Sequence, residues 1–374
     1  MWMEKMPSGK YRYNEEFKDK YTNKRKKVSI TLLNKTRETQ NYARIELQKK
    51  IERTKNKKSF SNSNITLEEL KDEWFPIYMQ QVKSATIVQT KFIIETCFEI
   101  LDKDSFVRKI DAPKLNKMFY ELLYTKKLSN KYVSIMKSKL STMFKYAKNK
   151  GYILSNPINE VEIDYKRENK SVKIKDKFLE DDEYKKIIEY SMGHNKRYGL
   201  FFQWLYLTGL RAGEAIVLTK SDFHFSEDRN YVSITGTAVY HGLSVGEQIK
   251  SKTPKTNAGI REVDLSKRAL DIYHKSLNIS KNDDLIFTTA NGTYLQISAI
   301  NSYLRQLKKI LDIEKPLSSH IFRHTHISKL AELQVPIYSI QERVGHENSK
   351  ITEQIYLHIT EKMKQDLRNK IEKL

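Results

Sequence analysis

The stretch SSHIFRHTHISKL, residues 318–330, places His320, Arg323, His324 and His326 within seven positions. Two chemistries fit this spacing. Imidazoles at i and i+4 on a helix could ligate a metal ion, although no fourth group of ligand type lies nearby in sequence. Alternatively, His320 and Arg323, three apart, share a helical face, where they could hold a phosphate and move a proton. His324 and His326 then support the pocket from behind.

Three other segments put polar groups where an ordinary core would not want them. In LTGLRAGEAIVL an apolar helix stops at Gly209, and Arg211 follows at a turn with Glu214 three residues on. A guanidinium this close to buried sequence needs a partner, and Glu214 can supply it. Read alone, the pair is as readily a structural ion pair. In KSKTPKTNAGIREVDL, Lys252 and Lys255 flank a proline ahead of an alternating strand. Read alone, that is an exposed hairpin turn. In ERVGHENSKITEQIYLHI, His346 follows a glycine, and Tyr356 lies ten residues later between two helical stretches. A lone tyrosine there is more often core than nucleophile. Residues 339–356 also scan as a helix-turn-helix.

The elements that must position these residues fall into separate stretches. Residues 1–60 carry 18 Lys or Arg against 7 Asp or Glu. Their aromatic alternation predicts a small sheet, backed by a charged helix with Tyr42, Ile45 and Leu47 as its apolar positions. A Ser/Asn-rich linker follows. From Ile65 the pattern is helical: Thr66 and Glu69 form a capping-box pair, three further amphipathic stretches follow, and Gly151 ends the last, giving about four helices. That last helix carries Lys131, Lys137, Lys139, Lys145, Lys148 and Lys150, a face that is either solvated or turned to phosphate. Residues 165–177 hold six basic and two acidic residues without a core pattern and read as a basic linker. Beyond them come helices around 184–192 and 195–208, a strand-rich stretch from NYVSITGT to GIREVDL, and more helix. The expected division is 1–61, 62–164, linker 165–177 and 178–374, in a mainly α chain with small sheets.

A net charge of +22 over 374 residues asks for a polyanionic partner, most commonly nucleic acid and less commonly an anionic membrane surface. No apolar run reaches spanning length; the best, YGLFFQWLYLTGL, reads as a buried helix. The charged N-terminus predicts no signal peptide. One cysteine, Cys97, allows neither a disulfide within the chain nor a cysteine-based zinc site, and points to an intracellular protein.

Arg, Lys, His-x-x-Arg, Gly-His and Tyr, in this order in TGLRAGE, PKTNAGIREV, HIFRHTHIS and VGHENSKITEQIY, resemble the tyrosine recombinase family, in particular the phage-type integrases of mobile elements. The resemblance implies roles. Arg211 and Arg323 would grip the non-bridging oxygens of a scissile DNA phosphate. Tyr356 would attack phosphorus to give a 3′-phosphotyrosyl bond, with Lys255 (or Lys252) protonating the leaving 5′ oxygen. His320 would assist proton transfer, and His346 would donate a hydrogen bond to phosphate. Neither metal nor ATP is required. By the same resemblance, residues 1–61 are an arm-type DNA-binding domain, 62–164 a helical core-binding clamp and 178–374 the catalytic domain. EKMKQDLRNKIEKL resembles a short tail helix that family members pack onto a neighbouring subunit, although a helix with this much charge could equally sit on its own subunit. The implied partners are double-stranded DNA at core and arm attachment sites, a homotetramer assembled on it, and a DNA-bending or excision accessory protein. The implied place is the bacterial cytoplasm, at the nucleoid. Competing readings are a type IB topoisomerase, a non-catalytic helix-turn-helix regulator and a His-ligated metalloenzyme.

Overall fold

The computed structural model describes residues 1–18, 24–56, 64–167, 174–240, 243, 245–251, 259–345 and 350–372. The chain divides into two compact units, Met1–Lys166 and Arg167–Leu374.

The first unit opens with an antiparallel sheet in the order β1 (Trp2–Lys5), β2 (Tyr11–Lys18), β3 (Arg25–Leu32). Alternation along β2 turns Tyr13 and Phe17 inward, and α1 (Arg37–Asn56) covers that face with Ala43 and Leu47. The expected apolar positions of α1 need correcting. Ala43, Leu47 and Ile51, spaced four apart, form the buried line, whereas Tyr42 and Ile45 are 55% and 54% exposed. Small Ala43 is what lets the helix approach the sheet.

A second core in this unit is built by α2 (Leu67–Met79), α3 (Ser84–Leu101), α4 (Ala112–Tyr120) and α5 (Asn130–Lys150) around Leu70, Trp74, Ile93, Phe119, Met136 and Phe144. The capping box is present: Thr66 Oγ1 accepts from the Glu69 amide at 3.2 Å, and Glu69 Oε2 accepts from the Thr66 amide at 2.8 Å. Gly151 closes α5 at φ +82°. The lysine face of α5 is split. Lys137 donates to the Val161 carbonyl and Lys139 to the Tyr78 hydroxyl, while Lys131, Lys145, Lys148 and Lys150 are exposed.

In the second unit, α6 (Asp181–His194) packs on α7 (Lys196–Thr208), whose Leu200, Phe201, Phe202, Trp204 and Leu205 are all buried. The apolar run expected to be a buried helix is therefore one, and no helix among the described residues is long and apolar enough to cross a membrane. After the short α8 (Ala212–Ile216) comes a three-stranded antiparallel sheet, β4 (Phe223–Phe225), β5 (Asn230–Ile234) and β8 (Arg261–Asp264), with Val232 opposite Val263. A two-stranded ribbon, β6 (Ala238–Val239) with β7 (Ile249–Lys250), is inserted before β8. Helices α9 (Lys267–Leu277), α10 (Ile297–Ile310), α11 (His320–Glu332), α12 (Ile337–Val344) and α13 (Lys350–Ile371) complete it.

Two expectations change here. Tyr356 lies inside one helix rather than between two, and the tail is the continuation of that helix rather than a separate short one. No glycine or proline interrupts residues 350–371. The basic linker is also less bare than its composition suggests: Ile174–Lys177 form a 3-10 turn, and Ile174 packs against the cluster of Phe178, Ile327 and Ile355.

Candidate active site

The site begins where α7 stops. Gly209 takes a left-handed φ of +68°, and the chain turns so that Arg211 becomes the N-cap of α8. Glu214 then holds both ends of Arg211: Oε2 accepts from its amide at 3.0 Å and Oε1 from Nη1 at 2.7 Å. On β8, Arg261 shares the inward face with Val263, and its Nη2 donates to Glu214 Oε2 at 2.9 Å. Arg261 and Glu214 are each 6% exposed at the side chain. Burial alone would raise the Glu214 carboxyl, but the guanidiniums of Arg261, Arg211 and Arg323 hold it down at about 2.

Arg323, 1% exposed, lies inside α11. Its Nη1 donates to the Gly209 carbonyl at 2.7 Å and its Nη2 to the Val344 carbonyl. Burial pushes its pKa down, Arg211 adds to that, and Glu214 opposes it. Three guanidiniums thus lie around one carboxylate, those of Arg261 and Arg323 buried and that of Arg211 partly exposed, leaving two positive charges in excess. That excess suits an anion, and planar donor forks suit a tetrahedral phosphate.

His320 is the first residue of α11, exposed, one turn before Arg323. His324 turns its Nδ1 to the Lys177 carbonyl at 3.2 Å, and burial pushes its pKa down to about 4. His326 has Nδ1 2.7 Å from the Tyr206 carbonyl and Nε2 3.1 Å from Arg343 Nε. His324 and His326 therefore face different partners instead of one point. Among the described residues no three His, Cys, Asp or Glu side chains are grouped to hold a metal ion.

Tyr356 is half-buried on α13, between Ile355 and Ile359 of the packed face, against a cluster that includes Phe178, Ile327, Ile340 and Val344. Val344 thus joins the two parts of the site: its side chain belongs to the tyrosine's cluster and its carbonyl accepts from Arg323. Lys252, Lys255 and His346 lie outside the described residues. Their described neighbours are anchored to the arginines. Gly345 accepts from Arg211 Nη2 at 3.2 Å, and Gly259 accepts from Arg261 Nη1 at 3.2 Å. The structure thus brings Arg211 and Arg323 to the end of α12 and packs Tyr356 against the cluster that includes Ile340 and Val344 of that helix, with His320 one turn from Arg323. The first half of the segment that also scans as a helix-turn-helix is α12, whose end, Arg343 to Gly345, accepts from the arginines.

Arg261 and Arg343 escaped the sequence reading. Arg261 had a signal: it shares strand parity with buried Val263, an unusual side for a cation. Arg343 had none, because its partners are backbone carbonyls and a histidine seventeen residues away.

Residues 177–363 match the phage integrase family. A prophage ps2 probable integrase of Lactococcus lactis is 34% identical, over 98% of each chain. The integrase of Staphylococcus phage L54a is 28% identical over 88% of this chain and 99% of its own. Among solved structures, the fold is similar to the Tn1549 transposon integrase in complex with a circular intermediate DNA, with a TM-score of 0.62 and 19% identity over 78% of this chain and 94% of that one. It is similar also to a lambda integrase dimer bound to a COC′ core site, with a TM-score of 0.60 and 18% identity over 95% of this chain and 94% of that one. The chain belongs to the phage integrase family and is a site-specific DNA recombinase of the tyrosine type.

Proposed function

We propose that this recombinase cuts and rejoins double-stranded DNA at attachment sites through a bond between Tyr356 and a 3′ phosphate, integrating or excising a mobile element. The observation that carries the site assignment is the convergence of Arg211, Arg261 and Arg323 on Glu214 and the end of α12, against which the Tyr356 cluster packs.

In this scheme Arg211 and Arg323 take the non-bridging oxygens of the scissile phosphate. Tyr356 Oη bonds to phosphorus as the P–O5′ bond breaks; His320 assists removal of the phenolic proton, and Lys255 gives a proton to the departing 5′ oxygen. His346 donates to a phosphate oxygen. Charge grows on those oxygens in the transition state, so a preorganised cationic seat is the largest contribution. The new ester retains the energy of the bond that was cut. The reverse attack by a 5′ hydroxyl of another strand is therefore close to balanced.

Residues 1–61 serve as the arm-binding domain and 62–164 as the core-binding clamp, joined to the catalytic part by the basic linker. A second DNA site on one chain raises the local concentration of the first. The charge of +22 and the exposed lysines of α5 support DNA as the partner, and four copies on two duplexes complete the reaction. Lambda integrase, similar in fold, has been seen as a dimer bound to a COC′ core site and as a tetramer bound to a Holliday junction. The test of the chemistry is peptide mapping by mass spectrometry of the protein trapped on a nicked substrate. The expected mass addition is on Tyr356, through a 3′ phosphate; an adduct on another residue contradicts the assignment.

A further inference from the structure

Two side chains of α11 tie together the same two helix ends. Arg323 donates to the Gly209 carbonyl just beyond α7 and to the Val344 carbonyl that ends α12. Three residues along the same helix, His326 repeats the pattern. Its Nδ1 meets the Tyr206 carbonyl in the last turn of α7, and its Nε2 meets Arg343 Nε in the last turn of α12.

These partners fix the tautomer. A carbonyl only accepts, so Nδ1 carries the hydrogen; a guanidinium Nε only donates, so Nε2 is the bare acceptor. The ring is neutral in place, and its burial, with Arg343 beside it, pushes its pKa down to about 3. The fit is tight as well. A Cβ on Gly209 would come within 2.5 Å of the His326 Cδ2. Arg343 extends the tie: its Nη2 donates to the Asp264 carbonyl at 3.0 Å, and its own carbonyl accepts from Arg261 Nε at 2.8 Å.

We infer that His326 is a positioning residue: by holding Arg343 it fixes the end of α12 on which Arg211, Arg261 and Arg323 converge, and so sets the geometry of the phosphate seat. This rests on the reading of Arg211 and Arg323 as that seat. His326 itself touches no reacting atom.

Two amide variants separate its two bonds. In His326→Gln the side-chain oxygen can stand where Nε2 accepts from Arg343. In His326→Asn the amide nitrogen can donate to the Tyr206 carbonyl, but the side chain is too short to reach Arg343. Cleavage is measured in single turnover at saturating DNA, on nicked substrates with either a phosphate or a methylphosphonate at the scissile position. The methylphosphonate is neutral and depends less on a cationic seat. A misplaced seat therefore slows the phosphate selectively, whereas general damage to the fold slows both.

His326→Asn is expected to slow phosphate cleavage about 30-fold or more, in the range of a small misplacement of reacting groups, and methylphosphonate cleavage only a few-fold. His326→Gln is expected to stay within about threefold of wild type on both. If His326→Asn does not fold, Arg343→Lys, which keeps the charge and loses the Nε donor, is expected to show the same phosphate-selective loss. Equal slowing of both substrates, or equal behaviour of the Gln and Asn variants, overturns the inference. Arg211→Ala on the same two substrates distinguishes the levels. Phosphate-selective loss there without it in His326→Asn defeats the inference alone; no selectivity in Arg211→Ala defeats the seat itself.

Discussion

Arg323 and Arg211 donate to consecutive carbonyls at the C-terminal end of α12, those of Val344 and Gly345. Arg261 takes the carbonyl before them, that of Arg343. The last carbonyls of a helix lack partners within it and carry the negative end of its dipole. Three guanidiniums from α8, β8 and α11 satisfy them here. The arrangement assembles cations without a matching number of carboxylates, and it does so just ahead of the helix that carries Tyr356.

Replacing Arg211 by lysine keeps a charge and discards the fork. The barrier to cleavage at saturating DNA is expected to rise by about 3–4 kcal/mol, slowing it a few hundredfold, as for loss of one transition-state donor. DNA affinity at constant salt should change far less. Gel-shift titration beside single-turnover kinetics measures both. A loss confined to affinity would place Arg211 outside the chemistry.

Glu214 links stability to pH. Its carboxyl titrates at about 2 in the folded chain, below its value when unfolded. Its contribution is therefore present above about pH 4.5 and is lost as pH falls toward 2, on the order of 3 kcal/mol. Glu214→Gln should cost ~3–5 kcal/mol near neutrality, since it leaves buried guanidiniums without their anion. It should also flatten the acid limb. Urea melts from pH 6 to 3 measure this, and equal acid slopes in the two proteins would contradict it.

Part of the site is legible in sequence because its signals are local. Gly209 ends an apolar run, Glu214 sits one turn from Arg211, and His320 and Arg323 share a helical face. Thr66 with Glu69 and Gly151 marked helix ends for the same reason. What escaped is tertiary. Arg261 meets Glu214 across 47 residues, and the acceptors of Arg323 and Arg343 are backbone carbonyls, which no residue type announces. The resemblance implies a separate short tail helix, yet no glycine or proline between Tyr356 and Ile371 breaks the helix that carries the tyrosine. His324 and His326 resembled ligands only while their backbone partners, Lys177 and Tyr206, were unknown.

If arginines take the place of a metal at the phosphate, cleavage should be unchanged after dialysis against EDTA. Single-turnover rates with and without chelator decide it. A loss restored by a divalent cation would favour the metalloenzyme reading.

The sheet and helix of residues 1–56 have their own core around Tyr13, Ala43 and Leu47. Deleting residues 1–60 is expected to weaken binding to long attachment-site DNA more than to the short crossover site. The salt dependence on long DNA should become shallower as phosphate contacts are lost. Equal loss on both DNAs would argue against an arm-binding role.

The most direct test is Tyr356→Phe on a nicked suicide substrate. The variant lacks only the phenolic oxygen, so it should bind core-site DNA as wild type does and form no covalent adduct that survives denaturation. An adduct that persists in the variant would show that Tyr356 is not the nucleophile.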